Sequence, residues 1–173
     1  MHELRIQFTV PAHGIRVLSD LIRWVLGTKY SHVLARWKGA QGKVDLVWEA
    51  SGSSIKFLGP IAHRGRYEVV TEYLIELNRT EYSRLIEYTH MYAHVDYGSK
   101  QLIGMLFARL FRLKDNPISR GENEQVCSEA VAGLLKYVKG WDFGVNFDVE
   151  GPDRLEQLIR SKLDERMDTI TDS

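Results

Sequence analysis

The alternation of apolar and polar residues divides this chain into a strand-rich first half and a helix-rich second half. LRIQFTV alternates with period two and stops at Pro11, which predicts a first strand. In HGIRVLSDLIRWVLG the period lengthens. Ile15, Leu18, Ile22 and Val25 recur at helical spacing, and Gly27 supplies a stop. YSHVLARWKGAQGKVDLVWEAS, residues 30–51, reads as a β-hairpin. SSIKFLGP predicts a short strand, and RYEVVTEYLIEL, residues 66–77, a long one, because it is rich in β-branched and aromatic residues. From Thr80 onward the period is helical. Thr80 is expected to cap TEYSRLIEYTHMYAHV, with Leu85, Tyr88, Tyr92 and Val95 on one face. SKQLIGMLFARLFRL is apolar nearly all round and predicts a buried helix. KDNPISRGENE is a loop by its Pro, Gly and Asn content. QVCSEAVAGLLKYV and GPDRLEQLIRSKLDERM complete the helices, the second with Pro152 in its first turn. The end of the chain, from about residue 165 to 173, reads as a frayed tail. Strands followed by helices predict an α+β fold, an antiparallel sheet packed against helices.

The hairpin carries a register within its own pattern. A turn at GAQG, centred between Ala40 and Gln41, sets Arg36 opposite Asp45, Leu34 opposite Val47 and His32 opposite Glu49. The other face then pairs Trp37 with Val44, Ala35 with Leu46 and Val33 with Trp48, and is wholly apolar. A slip of one residue would set Trp37 against Asp45 and Val33 against Glu49, which burial of one face penalises. Directly opposed side chains have Cβ atoms roughly 5 Å apart. His32 and Glu49 are therefore expected to meet.

Composition narrows the function classes. A length of 173 residues fits a single domain spanning residues 1–173. The 23 basic and 23 acidic residues cancel, which argues against a dedicated nucleic-acid binder. The N-terminus lacks signal-peptide character and no run of about 18 apolar residues occurs, so no transmembrane segment and a cytoplasmic location are expected. Cys127 is the one cysteine, which rules out an internal disulfide and a cysteine-based zinc site. No cofactor or metal is expected. His90 and His94 lie four residues apart, but no Glu follows His90 in the run His-Met-Tyr-Ala-His, so they read as a helix face. His63, in AHRGR, reads as a solvated loop residue. Arg109 and Arg112 flank the apolar run LIGMLFARLFRL; a buried core helix is preferred there over lipid contact, since the run is short for an anchor. The oligomeric state is left open.

Cys127, His32 and Glu49 carry the candidate chemistry. A carboxylate beside an imidazole sets its tautomer and stabilises its protonated form, leaving the other ring nitrogen for a nucleophile. Cross-strand His–Glu pairs also serve as plain surface contacts, so the pair alone does not decide. Cys127 falls in the first turn of a helix expected to be capped by Asn123. The helix N-terminus and a nearby imidazole both favour the thiolate, and the Cys127 backbone N–H can serve as an oxyanion donor. Cys127 also shares a helical face with Val131, Leu134 and Val138, so a core role stays open.

Several segments together give the chain a resemblance. IRVLSDLIRWVLGTKY runs straight into YSHV, VWEAS follows on the next strand, YGSKQLIGML precedes the cysteine, and VCSEAVAGLL and GPDRLEQLI close the pattern. Over roughly residues 3 to 160 the chain resembles the circularly permuted branch of the NlpC-type papain-like hydrolases, which includes YiiX-like proteins and, more distantly, lecithin:retinol acyltransferase-like proteins. The Ser-His-Val and Cys-Ser-Glu pieces are the specific ones, and the histidine comes about 95 residues before the cysteine. The resemblance implies a permuted papain-like fold. It makes Cys127 the nucleophile, His32 the general base and then acid, Glu49 the orienting residue and Tyr97 a residue lining the oxyanion site. It implies a cysteine peptidase or amidase working through a thioester acyl-enzyme on a peptide or acyl substrate, with a cell-wall peptide as one such substrate. Without an export signal, that substrate would require delivery by a phage lysis or virion route. The alternatives are a thiol acyltransferase or lipase acting on an ester lipid, and a catalytically silent binding module of the same fold. The chain departs from the family where Leu34, Ala35 and Arg36 follow the histidine in place of Gly and an apolar residue.

Overall fold

The structure, a computed structural model, describes residues 1–12, 16–39, 42, 44–51, 54–59, 65–93, 95–97, 99–118, 124–147 and 150–171, of which 16–18, 97, 99, 124–125 and 166–171 by their backbone alone. The strands are β1 (His2–Pro11), β2 (His32–Lys38), β3 (Asp45–Ser51), β4 (Ser54–Leu58), β5 (Tyr67–Leu77) and two short ones, β6 (Asp96–Tyr97) and β7 (Glu124–Gln125). The helices are α1 (Arg16–Leu26), α2 (Arg79–Met91), α3 (Ser99–Leu110), α4 (Cys127–Lys139) and α5 (Pro152–Thr171). The fold is α+β. The five longer strands form an antiparallel sheet in the order β5-β1-β2-β3-β4, extended by β6 and then by β7, which runs parallel to β6.

Period two decides which face of this sheet is the core. Leu4, Ile6 and Phe8 of β1, Val33, Ala35 and Trp37 of β2, and Trp48 and Ala50 of β3 are buried in one apolar cluster. Tyr82, Leu85 and Tyr88 of α2, Val131, Leu134, Leu135 and Val138 of α4, and Leu155 and Ile159 of α5 complete it. Gly133 lets α2 and α4 approach: a Cβ there would stand 2.3 Å from the Tyr88 hydroxyl. The Tyr73 hydroxyl donates to Glu156 and ties β5 to α5.

Four expectations from the sequence need correction here. The hairpin register lies two residues away from the expected one: Ala35 pairs with Trp48, Arg36 with Val47 and Lys38 with Asp45. The Gly39 N–H donates to the Val44 carbonyl, so the turn is centred one residue later, with Gly42 in the left-handed conformation (φ 67°). A shift of two keeps every side chain on its own face, so burial of one face does not discriminate against it. Val44, expected against Trp37, is half exposed. The second correction concerns α2, which is capped by Asn78 and not by Thr80. The Asn78 side chain accepts from the Glu81 N–H, and the Glu81 carboxylate accepts from the Asn78 N–H, a reciprocal box. The helix ends at Met91, so Val95 lies beyond it, where its carbonyl accepts from the Ile55 N–H. The third is α5, which continues to Thr171 where a frayed tail was expected.

The largest departure is α3. Gln101, Gly104, Met105 and Ala108 are turned inward, but Ile103, Phe107 and Leu110 face solvent, as do Phe111 and Leu113 just beyond the helix. A helix apolar on all sides was expected to be covered on all sides. Among the described residues one side is covered, by α1 through Ile22, Leu26 and Met105 and by the loop at Asn116, whose side chain donates to the Gln101 carbonyl.

Candidate active site

Three elements converge at one end of the sheet. β2 begins at His32, β3 carries Glu49 in its second half, and α4 begins at Cys127. Because Ala35 pairs with Trp48, the face of β2 bearing His32, Leu34 and Arg36 is the face of β3 bearing Val47 and Glu49. His32 and Glu49 are therefore diagonal neighbours and not directly opposed, yet the long glutamate side chain closes the gap. His32 Nε2 lies 3.3 Å from Glu49 Oε2, with the Glu49 side chain fully buried. Arg36 and Asp45 behave in the same way, meeting at 2.6 Å across the diagonal. That pairing occupies Asp45 and leaves Glu49 as the carboxylate on His32.

Cys127 is the first residue of α4. The residue before it, Val126, is the N-cap and offers no side-chain hydrogen bond. Asn123, expected as the cap, lies outside the described residues. An apolar cap leaves the first-turn N–H groups to other acceptors. The Cys127 sulfur lies beside His32 and near the backbone N–H groups of Ser128 and Val33, all of which favour its charged form. Since Nε2 faces Glu49, Nδ1 is the ring nitrogen left for a second partner. Cys127 packs in the core cluster beside Val131 and Leu134, so its packing role and its place in the site coexist.

The electrostatics follow from burial set against pairing. Burial disfavours the Cys127 thiolate, but the hydrogen bond and charge of His32, aided by the two backbone donors, outweigh it and hold the thiol below its ordinary value. Burial likewise disfavours the His32 imidazolium. Hydrogen bonds with Cys127 and Glu49 prevail, and the ring is raised to about 9. Glu49 is lowered to about 2: burial opposes its charge, and His32, then Ser51, overcome that. The three shifts all favour the charged forms, so the thiol, the imidazole and the carboxyl each support the ionisation of the next.

Several supporting residues were not legible in the sequence. The Ser51 hydroxyl donates to Glu49 Oε1 at 2.6 Å, so both carboxylate oxygens are engaged. Tyr67 stacks on the His32 ring, with centroids 5.0 Å apart and planes at 26°. Arg66 stands 3.9 Å from Glu49. Thr9 is the β1 partner of His32, at a point where the register of β1 on β5 shifts. Only Ser51 had a signal, since it follows Glu49 by two and so shares its face.

Tyr97 forms part of β6, and its backbone pairs with Gln125, two residues before Cys127. This backbone position is near the cysteine in sequence of pairing; its side chain is outside what the structure describes. His63 and His94 also lie outside the described residues. His90 is exposed and its ring is bound to the Ile86 carbonyl. Among the described residues no three His, Cys, Asp or Glu side chains are grouped to hold a metal ion. No helix among them is long and apolar enough to cross a membrane. No protein-family model and no curated protein sequence matches the chain.

Proposed function

We propose that this chain is a cysteine hydrolase of permuted papain-like type, cleaving an amide bond through a thioester acyl-enzyme. The observation that carries the reading is the buried group Cys127, His32 and Glu49, with the His32–Glu49 pair at 3.3 Å and the cysteine at the start of a helix. The Cys127 thiolate attacks the substrate carbonyl, and the oxyanion that develops is stabilised by backbone N–H groups at the start of α4. His32, protonated at rest, gives its proton to the leaving amine, and the C–N bond breaks to leave a thioester. The ring, now neutral, takes a proton from water as it attacks the thioester carbonyl; the C–S bond breaks, the carboxylic acid leaves, and the Cys127 thiolate and protonated His32 are restored. Glu49 keeps the ring in the tautomer and plane that both steps need. Peptide substrates, including cell-wall peptides, fit this chemistry.

A thiol acyltransferase or lipase acting on an ester lipid would use the same three residues. The apolar outer face of α3 favours that second reading. Release of fatty acid from phospholipid, with no cleavage of peptides, would select it. A catalytically silent module would show an ordinary thiol pKa and undiminished biological activity in Cys127→Ala. The deciding experiment is the pH dependence of Cys127 alkylation in the native protein and in His32→Ala. The reading requires a thiol pKa well below the reference of about 8.5 that rises in the variant. A thiol indifferent to His32 would sink it.

A further inference from the structure

The outward side of α3 and of the turn after it carries a group of exposed apolar residues. Phe111 is 62% exposed and Leu110 57%, with Phe107 and Ile103 close to half. Single exposed apolar residues are ordinary on a folded protein, whereas a contiguous group marks a binding surface. Ile103, Phe107 and Leu110 follow at i, i+4 and i+7 and so form one stripe on α3, with the Phe107 and Phe111 rings stacked at 6.0 Å. α1 packs on another side of α3 through Ile22, Leu26 and Met105.

Charge distinguishes between the surfaces that could cover this face. Arg109, Arg112 and Lys114 border the stripe and are exposed, and Lys100 lies at its other end. Of the acids nearby, Asp20 is held by Arg23, Glu150 shares a cleft with Arg109 and Arg112, and Asp115 stands next to Lys114 in the chain. The region is thus basic on a chain whose charges cancel overall. Arg112 even occupies a left-handed position (φ 55°) at the end of α3, where glycine is the usual residue. A second copy of the chain would bring like charge against like on this face. An anionic bilayer supplies the opposite charge at the headgroups and apolar depth below them, which is what an Ile/Phe/Leu face rimmed by Arg and Lys takes.

We propose that the outer face of α3 is a docking surface for an anionic lipid bilayer, lying along the membrane without crossing it. The test mixes the full chain with vesicles of phosphatidylcholine alone, or with about a third phosphatidylglycerol, and reads the pellet. The chain is expected to pellet with the anionic vesicles and to bind roughly tenfold more weakly in high salt. Phe107→Ser with Phe111→Ser, and separately Arg109→Gln with Arg112→Gln, should each weaken binding by roughly tenfold or more, with thermal melts showing that both variants fold. Failure to pellet with anionic vesicles overturns the proposal, as does pelleting that neither double variant changes. A dimer in sedimentation velocity that Phe107→Ser with Phe111→Ser dissolves, without vesicle binding, overturns it in favour of a second copy of the chain.

Discussion

The His32–Glu49–Cys127 corner and the outer face of α3 reverse the usual rule of burial in opposite ways. The first puts ionisable groups inside; the second puts Phe107, Leu110 and Phe111 outside. At the corner, each group that loses water gains a neighbour: His32 has Glu49 and Cys127, Glu49 has Ser51 as well, and His32 favours the charged form of the sulfur. On α3, apolar side chains are left in water with nothing over them among the described residues. A buried charge without partners would be expelled or neutralised, so such a cluster persists only as a unit. An exposed apolar residue costs the fold little, so that face depends on no neighbour. The corner should therefore fail when any one member is changed, while the outer face should tolerate change in everything except what binds it.

The largest effect expected is on turnover. Cys127→Ala removes the proposed nucleophile and should abolish any hydrolysis the chain performs, while circular dichroism stays native. Glu49→Gln keeps the shape but loses the charge that holds the His32 tautomer. It should lower kcat by roughly 10²–10⁴-fold, with a higher Cys127 thiol pKa in the alkylation profile.

Stability separates the two regions more directly. Glu49→Ala leaves His32 buried beside an unfilled space, and urea melts should show a loss of about 3–5 kcal/mol. Phe107→Ser, on the exposed face, should stay within roughly 0.5 kcal/mol of the native chain. Equal losses from the two changes would erase the comparison.

pH gives a gentler contrast. An ordinary histidine titrates at 6.5 and His32 at about 9, so the fold favours the protonated ring. That contribution is complete below pH 6.5 and fades as pH rises through about 9. Glu49, at about 2 against 4.5, contributes fully above pH 4.5 and loses its contribution as pH falls toward 2. Urea melts across this range should show both limbs, and Glu49→Gln should flatten the acid one. The smallest effect belongs to Arg36 and Asp45. Their part-exposed pair should show a coupling of about 0–1 kcal/mol in a double-mutant cycle.

The amino-acid sequence alone determined which residues share a face. Period two in VLARW and DLVWE places Val33, Ala35, Trp37, Leu46 and Trp48 together and His32 with Glu49, and any even shift of register preserves this. It also determined that Cys127 stands near a helix start, since VCSEAVAGLL begins a new period after a loop. The register itself was decided by the closing bond from Gly39 to Val44 and by sheet neighbours far away in the chain, neither of which leaves a local trace. The cap of α2 was misjudged because Asn78 and Thr80 are both good caps by type, and only the reciprocal bond with Glu81 distinguishes them. The outward face of α3 could not be read at all. Ile103 and Phe107 have the same character as Met105 and Ala108, and periodicity carries no information once every side of a helix is apolar. Which side is covered is a matter of what packs there, and only the tertiary structure brings α1 and Asn116 to one side of α3 and leaves Ile103, Phe107 and Leu110 exposed on the other.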